Sequence, residues 1–199
     1  MSTPTDVFDE AYKETMLDEG LGILSDDPDD PGGMTYSGIT KRWFPTWAGW
    51  AIIDKLEKDP KKIKSDPQLM SLVKSFYYIN FWNRMDGDSI AALSGDVAKK
   101  MFNIGVNKDV KVAVIMLQRI LNLTNKNGEL YADLVVDGNM GKKTIGALGQ
   151  FLHTKRTTVS TADRVRLILM CMAALYKYSI IEWIENQKAR EKFIGLLLR

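Results

Sequence analysis

Apolar residues recur at steps of three and four along most of the chain, which is the period of an amphipathic helix. Val7, Phe8, Ala11, Tyr12, Thr15 and Met16 keep that step, with Thr5 and Asp6 as candidate caps and Gly20 as a stop, so a helix is predicted over 6–19. Residues 20–38 break the period with turns rich in Asp or Gly and with Pro28 and Pro31, and predict a loop or short irregular hairpin. Helices are predicted over 43–56 and 66–82, the second opened by Asp66 as N-cap and Pro67 in the first turn, with 58–66 as a charged connector. A helix pair over 94–106 and 109–121 is parted by Asn107 and Lys108. Asn127-Gly128 marks a turn, 130–136 a short extended piece, and 141–152, 161–185 and 190–198 further helices. No set of alternating segments long enough for a sheet and no repeat of fixed period is present, so the fold class is mostly α with at most a small β-hairpin.

The 199 residues are 45% hydrophobic and 26% charged, which suits one folded domain or two small lobes sharing a core. Lys and Arg total 27 and Asp and Glu total 25, a net charge of +2 that hides a strong polarity. From Asp6 to Asp30 ten acids face one base, whereas the rest of the chain carries 26 bases and 15 acids. Cys171 is the only thiol and lies in an apolar run, so no internal disulfide forms, and His153 is the only imidazole. Zinc hydrolases and Cys/His peptidases lack their ligands or their base here. The N-terminus has neither a basic patch nor an apolar stretch, and the charge-free run 167–176 is half the length of a membrane span. The expectation is a chain made in a cytoplasm without a signal peptide and without membrane insertion. The basic surplus suits an anionic polymer, and no nucleic-acid motif accompanies it.

The segment with chemistry runs from Glu19-Gly-Leu-Gly through Asp29-Asp30-Pro-Gly-Gly-Met-Thr35 to Thr40. A carboxylate at a helix C-terminus meets the negative end of the dipole, and Asp18, Asp26, Asp27, Asp29 and Asp30 add like charge close in sequence. Both effects oppose ionisation, as does desolvation by Leu17, Leu21 and Leu24. Glycosidic cleavage needs a carboxylic acid that is still protonated near neutral pH and a second group, usually a carboxylate, to assist a water or stabilise the oxocarbenium-like state. Glu19 suits the first role and Asp30 the second, while Thr35 places a hydroxyl after the Gly32-Gly33 turn where it can orient a water or a sugar. The acids do not form a calcium loop, because Pro28 and Pro31 interrupt the ligand spacing, and no metal or other cofactor is expected. Of the tryptophans, Trp43 or Trp82 is the one expected at a cleft rim, and the others are expected in the core.

This ordered set resembles the N-terminal motif of the glycoside hydrolase family 108 muramidases, a lysozyme-like group. The similarity continues through the aromatic pair ending in Trp82, through Asn103, Asn107 and Gln118, and through Asp137-Gly-Asn-Met-Gly141-Lys-Lys-Thr144, which resembles the loop of the family's C-terminal peptidoglycan-binding half. The resemblance implies a two-lobed lysozyme-like fold with a catalytic region over 6–95 and a helical peptidoglycan-binding region over 96–199. It implies Glu19 as catalytic acid with Asp30 and Thr35 beside it, and Tyr36, Trp82, Asn103, Asn107, Gln118 and Asp137 as substrate-binding residues. The implied substrate is the peptidoglycan strand, cut between N-acetylmuramic acid and N-acetylglucosamine. A phage endolysin reaching the wall through a holin, or a muramidase released by a secretion apparatus, fits a chain without a signal peptide. Leu21-Gly22 departs from the family's Glu-Gly-Gly-Tyr, and motivates the alternative of a non-catalytic wall-binding or secretion-accessory protein on the same fold.

Overall fold

The computed structural model describes residues 3–18, 21–26, 33–154 and 159–197, with the side chains of all of these except 17, 18 and 180–197. The first helix, α1 (Pro4–Asp18), starts earlier than expected, because Thr3 rather than Thr5 caps it. The Thr3 N–H donates to Asp6 Oδ2 (2.8 Å) and the Asp6 N–H to Thr3 Oγ1 (3.2 Å), a reciprocal capping box with Pro4 at the first helical position.

Three two-residue strands follow, β1 (Leu24–Ser25), β2 (Thr35–Tyr36) and β3 (Ile39–Thr40), forming one antiparallel sheet in the order β1-β2-β3, one strand more than the expected hairpin. Leu24, Tyr36 and Ile39 are in register, as are Ser25, Thr35 and Thr40. Alternation therefore sends Tyr36 and Ile39 into the core and leaves a row of three hydroxyls on the opposite face. The β2–β3 turn has positive φ at both Ser37 (48°) and Gly38 (77°), the type I′ geometry that matches strand twist. A Cβ on Gly38 would lie 2.6 Å from the Tyr77 hydroxyl. Gly38→Ala is thus expected to lose roughly 1–3 kcal/mol of stability from backbone strain alone, and more from the clash, read as a lower urea midpoint.

The helix expected over 43–56 is shortened to α2 (Gly49–Lys55), since Pro45 cannot continue a helix and the chain turns through Trp47. The expected connector instead contains α3 (Pro60–Ser65), capped by Asp59, which accepts from the Lys61 N–H at 2.9 Å. Helix α4 (Pro67–Tyr77) is capped by Asp66 as predicted, with Leu69 N–H to Asp66 Oδ1 at 2.7 Å. It passes into a π-helical turn over Tyr78–Trp82 and a 3₁₀ turn over Asn83–Met85. The short α5 (Gly87–Leu93) has no counterpart among the predicted elements. Ser94 and Asp109 cap the predicted pair, α6 (Gly95–Asn107) and α7 (Val110–Thr124). Residues 130–136 form no strand, and α8 (Lys142–His153) follows. The two C-terminal helices expected are one, α9 (Thr161–Leu197), because no proline interrupts it.

Helix α6 is the centre of the molecule and packs on α1, α5, α7 and α9. Phe8 of α1 meets Tyr78 and Phe102 edge to face, with ring centroids 4.9 and 5.7 Å apart, and Trp82 lies fully buried beside them. These contacts fix the axis of α1, and with it the direction in which the chain leaves that helix. Cys171 packs half-buried against this core and His153 is exposed. No described helix is long and apolar enough to cross a membrane.

Candidate active site

Glu19 and Asp30, the two proposed carboxylic groups, lie outside the described residues. The nearest described residues on either side of Glu19 are tied into the fold. The Leu21 N–H returns to the Met16 carbonyl at 3.3 Å, the six-to-one bond with which helices close over their last turn. The Gly22 N–H donates to Ser37 Oγ (2.8 Å) and the Ser37 N–H to the Ile23 carbonyl (3.0 Å), while the Tyr77 hydroxyl donates to the Ser37 carbonyl (2.8 Å). Ser37 is buried, so one residue ties the exit of α1, the sheet and α4 together. Asp26 is held by Lys58 Nζ at 3.0 Å. Thr35 Oγ1 donates to the Gly33 carbonyl at 3.2 Å, and its side chain shares the polar face of the sheet with Ser25 and Thr40.

The α1–α6 pairing sets a second wall. Val7 packs beside Gly95, and Glu10 and Glu14 reach Lys99 at 3.3 and 3.7 Å, so the two helices run side by side in the same direction. Asp96 also approaches Lys99, at 3.9 Å. Burial works against the Lys99 charge, but the hydrogen bond it donates to Glu10 and the charges of Glu14, Glu10 and Asp96 outweigh it and raise its pKa. Asn103 stands one turn beyond Lys99, level with the end of α1. A cavity of about 430 Å³ opens there, lined by Glu14, Thr15, Asp96, Lys99, Lys100, Asn103 and Leu169. Asn107 is exposed one turn further on, its Nδ2 donating to the Asn103 carbonyl at 2.9 Å.

Three other expected substrate-binding side chains, Tyr36, Trp82 and Gln118, turn away from solvent, whereas Asp137 is exposed. Tyr36 is 1% exposed and stacks on Trp47 at a centroid distance of 6.2 Å, because it is the inward member of a two-residue strand. Burial raises its phenol pKa. Trp82 is fully buried, and its Nε1–H donates to Asp88 Oδ1 at 2.8 Å. It offers no face to a sugar. Trp43 is 70% exposed, the most open of the described tryptophans, with the Arg42 guanidinium 5.6 Å from its ring centroid. Gln118 is also buried, with Nε2 donating to Asp137 Oδ1 (2.9 Å) and the Asn139 carbonyl (3.1 Å) and Oε1 accepting from the Gly138 N–H (3.0 Å). These bonds make Gln118 the pin of the 137–144 loop, beside a cavity of about 330 Å³ that the loop and α8 line.

Hydrogen bonds from the Asn139 backbone, Gln118 and the Asn139 amide pull the Asp137 carboxyl down to about 2. A carboxylate depressed in the folded state stabilises above its unfolded pKa of about 4, and this contribution disappears as the pH falls toward 2. Asp137→Asn is therefore expected to lower the melting temperature at pH 7 and to flatten its decline between pH 4 and pH 2, as measured by circular dichroism.

Residues 12–108 match the family model for glycosyl hydrolase 108, and residues 112–195 match a predicted peptidoglycan domain. The chain carries a glycosyl hydrolase 108 domain followed by a peptidoglycan domain. With this pair it is a glycoside hydrolase of peptidoglycan, and the paired domains imply action at the bacterial cell wall. Among solved structures it is similar to that of Brucella abortus SagA, at 22% identity over 92% of this chain and 88% of that one, with a TM-score of 0.49. No curated protein matches the sequence.

Proposed function

We propose that Glu19 is the general acid of an N-acetylmuramidase and that it protonates the leaving glycosidic oxygen, with Asp30 as the second carboxylate and Thr35 orienting the attacking water. The observation that carries this reading is the way α1 ends. Its last described turn is closed by the Leu21–Met16 bond, the chain beyond is fastened through Ser37 to the sheet, and Glu19 follows Asp18, the final helical residue. Glu19 is the next residue in sequence after this 15-residue helix, and a helix dipole favours the protonated form of a carboxyl group close to its C-terminus. Asn103 and Asn107, level with that end on the parallel α6, supply amides for the sugar N-acetyl groups and hydroxyls. The exposed Trp43 provides a stacking face.

In this reading the catalytic region covers 6–95 and the peptidoglycan-binding region 96–199, with α6 as the shared face between them. Tyr36, Trp82, Gln118 and Asp137 act as positioning residues. The protein serves as a phage endolysin that reaches the wall through a holin or an equivalent release apparatus. Purified protein incubated with insoluble peptidoglycan is expected to release soluble fragments with new reducing sugars. Retention on the wall with no new reducing sugar favours the non-catalytic alternative.

A further inference from the structure

Helix α9 runs along α6 in the same direction as α1 does. Leu169 lines the cavity together with Asp96, Lys99 and Asn103, and Tyr176, two turns further along α9, lies over the later part of α6. Two ammonium groups flank its ring, one from α6 and one from the residue that caps the C-terminus of that helix. Lys100 Nζ is 6.0 Å and Lys108 Nζ 5.7 Å from the ring centroid, within the range of a cation–π contact. The two lysines are eight positions apart, which spaces their backbones by roughly 12 Å along the helix axis.

The contrast with Lys99 is informative. Lys99 is surrounded by Glu10, Glu14 and Asp96, whereas among the described residues neither Lys100 nor Lys108 meets a carboxylate within ion-pairing distance. Lys100 lines the cavity, and Asn103 and Asn107 lie between the two lysines in sequence. The result is a rail of two positive charges around a half-buried tyrosine, beside the groove that leads to the end of α1.

We infer that Lys100, Tyr176 and Lys108 form a subsite for the free carboxylates of the stem peptide carried by the muramic acid residue. This rests on the reading of the groove as the glycan cleft. The nearest negative charges to a muramidic bond are those of the stem peptide, which carries carboxylates at more than one residue along its length, and two cations in a row suit such a chain. Tyr176 contributes an apolar face to the peptide backbone and holds both ammonium groups toward the groove. The subsite makes the protein sensitive to amidation of the peptide, a change that removes the charge and leaves the glycan untouched.

The test is a binding comparison by titration calorimetry with the full chain. One probe is a disaccharide-tetrapeptide with free carboxylates, and the other is the same fragment with its carboxylates converted to amides. The wild type is expected to bind the acid form at least tenfold more tightly, with the difference shrinking as salt is raised. The double variant Lys100→Gln, Lys108→Gln is expected to bind both forms at the weaker level, and the pair Lys100→Arg, Lys108→Arg to restore the preference. Equal affinity of the wild type for the two fragments, no binding of either, or a preference that survives in the Gln variant overturns the inference. Both probes are products rather than substrates, so loss of turnover would count against the proposed function and leave this comparison standing.

Discussion

Glu19→Gln is expected to lower kcat on peptidoglycan by roughly 10²–10⁴-fold, the contribution of a positioned general acid, and to leave the melting temperature and wall binding unchanged. Gln keeps the shape of the side chain and the amide's hydrogen-bonding capacity but cannot deliver a proton to the leaving oxygen. The residue follows a helix whose position depends on the Thr3–Asp6 box, on Phe8 in the core and on the Lys99 cluster. A drop in kcat with KM and fold retained therefore reports the chemistry. If Glu19→Gln keeps full activity, another group supplies the proton and the assignment of the acid fails.

Trp82→Ala is expected to cost about 3–5 kcal/mol, in the range of large aromatic deletions from a core, and to lower the melting temperature by roughly 10 °C for a chain of this size. The indole is fully buried, with its ring near those of Phe8 (5.4 Å) and Phe102 (5.9 Å), and Gly87 lies so close that no larger residue would fit between them. Its N–H and the Tyr78 hydroxyl share Asp88 as acceptor, at 2.8 and 3.2 Å. Trp82→Phe should separate packing from substrate contact. It is expected to lower stability by roughly 1–3 kcal/mol, from the lost hydrogen bond to the exposed Asp88 carboxylate and the volume removed from the core, while KM at 25 °C stays within about twofold. A large rise in KM with stability intact would place the indole in the cleft instead.

Local chemistry made some of this legible from the sequence. Asp66-Pro67, Ser94 and Asp109 mark helix starts through side chains that reach the first free amides, and all three do so in the structure. Asp59-Pro60 carries the same signal as Asp66-Pro67, and the surrounding lysines concealed it by giving α3 the appearance of a connector. The end of α1, signalled by Gly20, is likewise local. What was not legible depends on partners distant in sequence. Ser37 receives the Tyr77 hydroxyl from 40 positions away, and Lys99 meets Glu10 from 89. Trp82 and Trp43 are the same residue type with opposite fates, and only the packing of α1, α5 and α6 decides which is buried. Composition shows a basic excess; the structure separates Lys99, which is neutralised by three acids, from Lys100 and Lys108, which sit beside a tyrosine.

The central claim is that this chain cuts the glycan strand at muramic acid by acid catalysis. Mass spectrometry of borohydride-reduced products from purified peptidoglycan tests it directly. The account predicts that every new reducing end is an N-acetylmuramic acid, converted to muramitol with its stem peptide still attached, and that these ends vanish with Glu19→Gln. Reduced ends on N-acetylglucosamine, or free stem peptides with intact glycan, would contradict it.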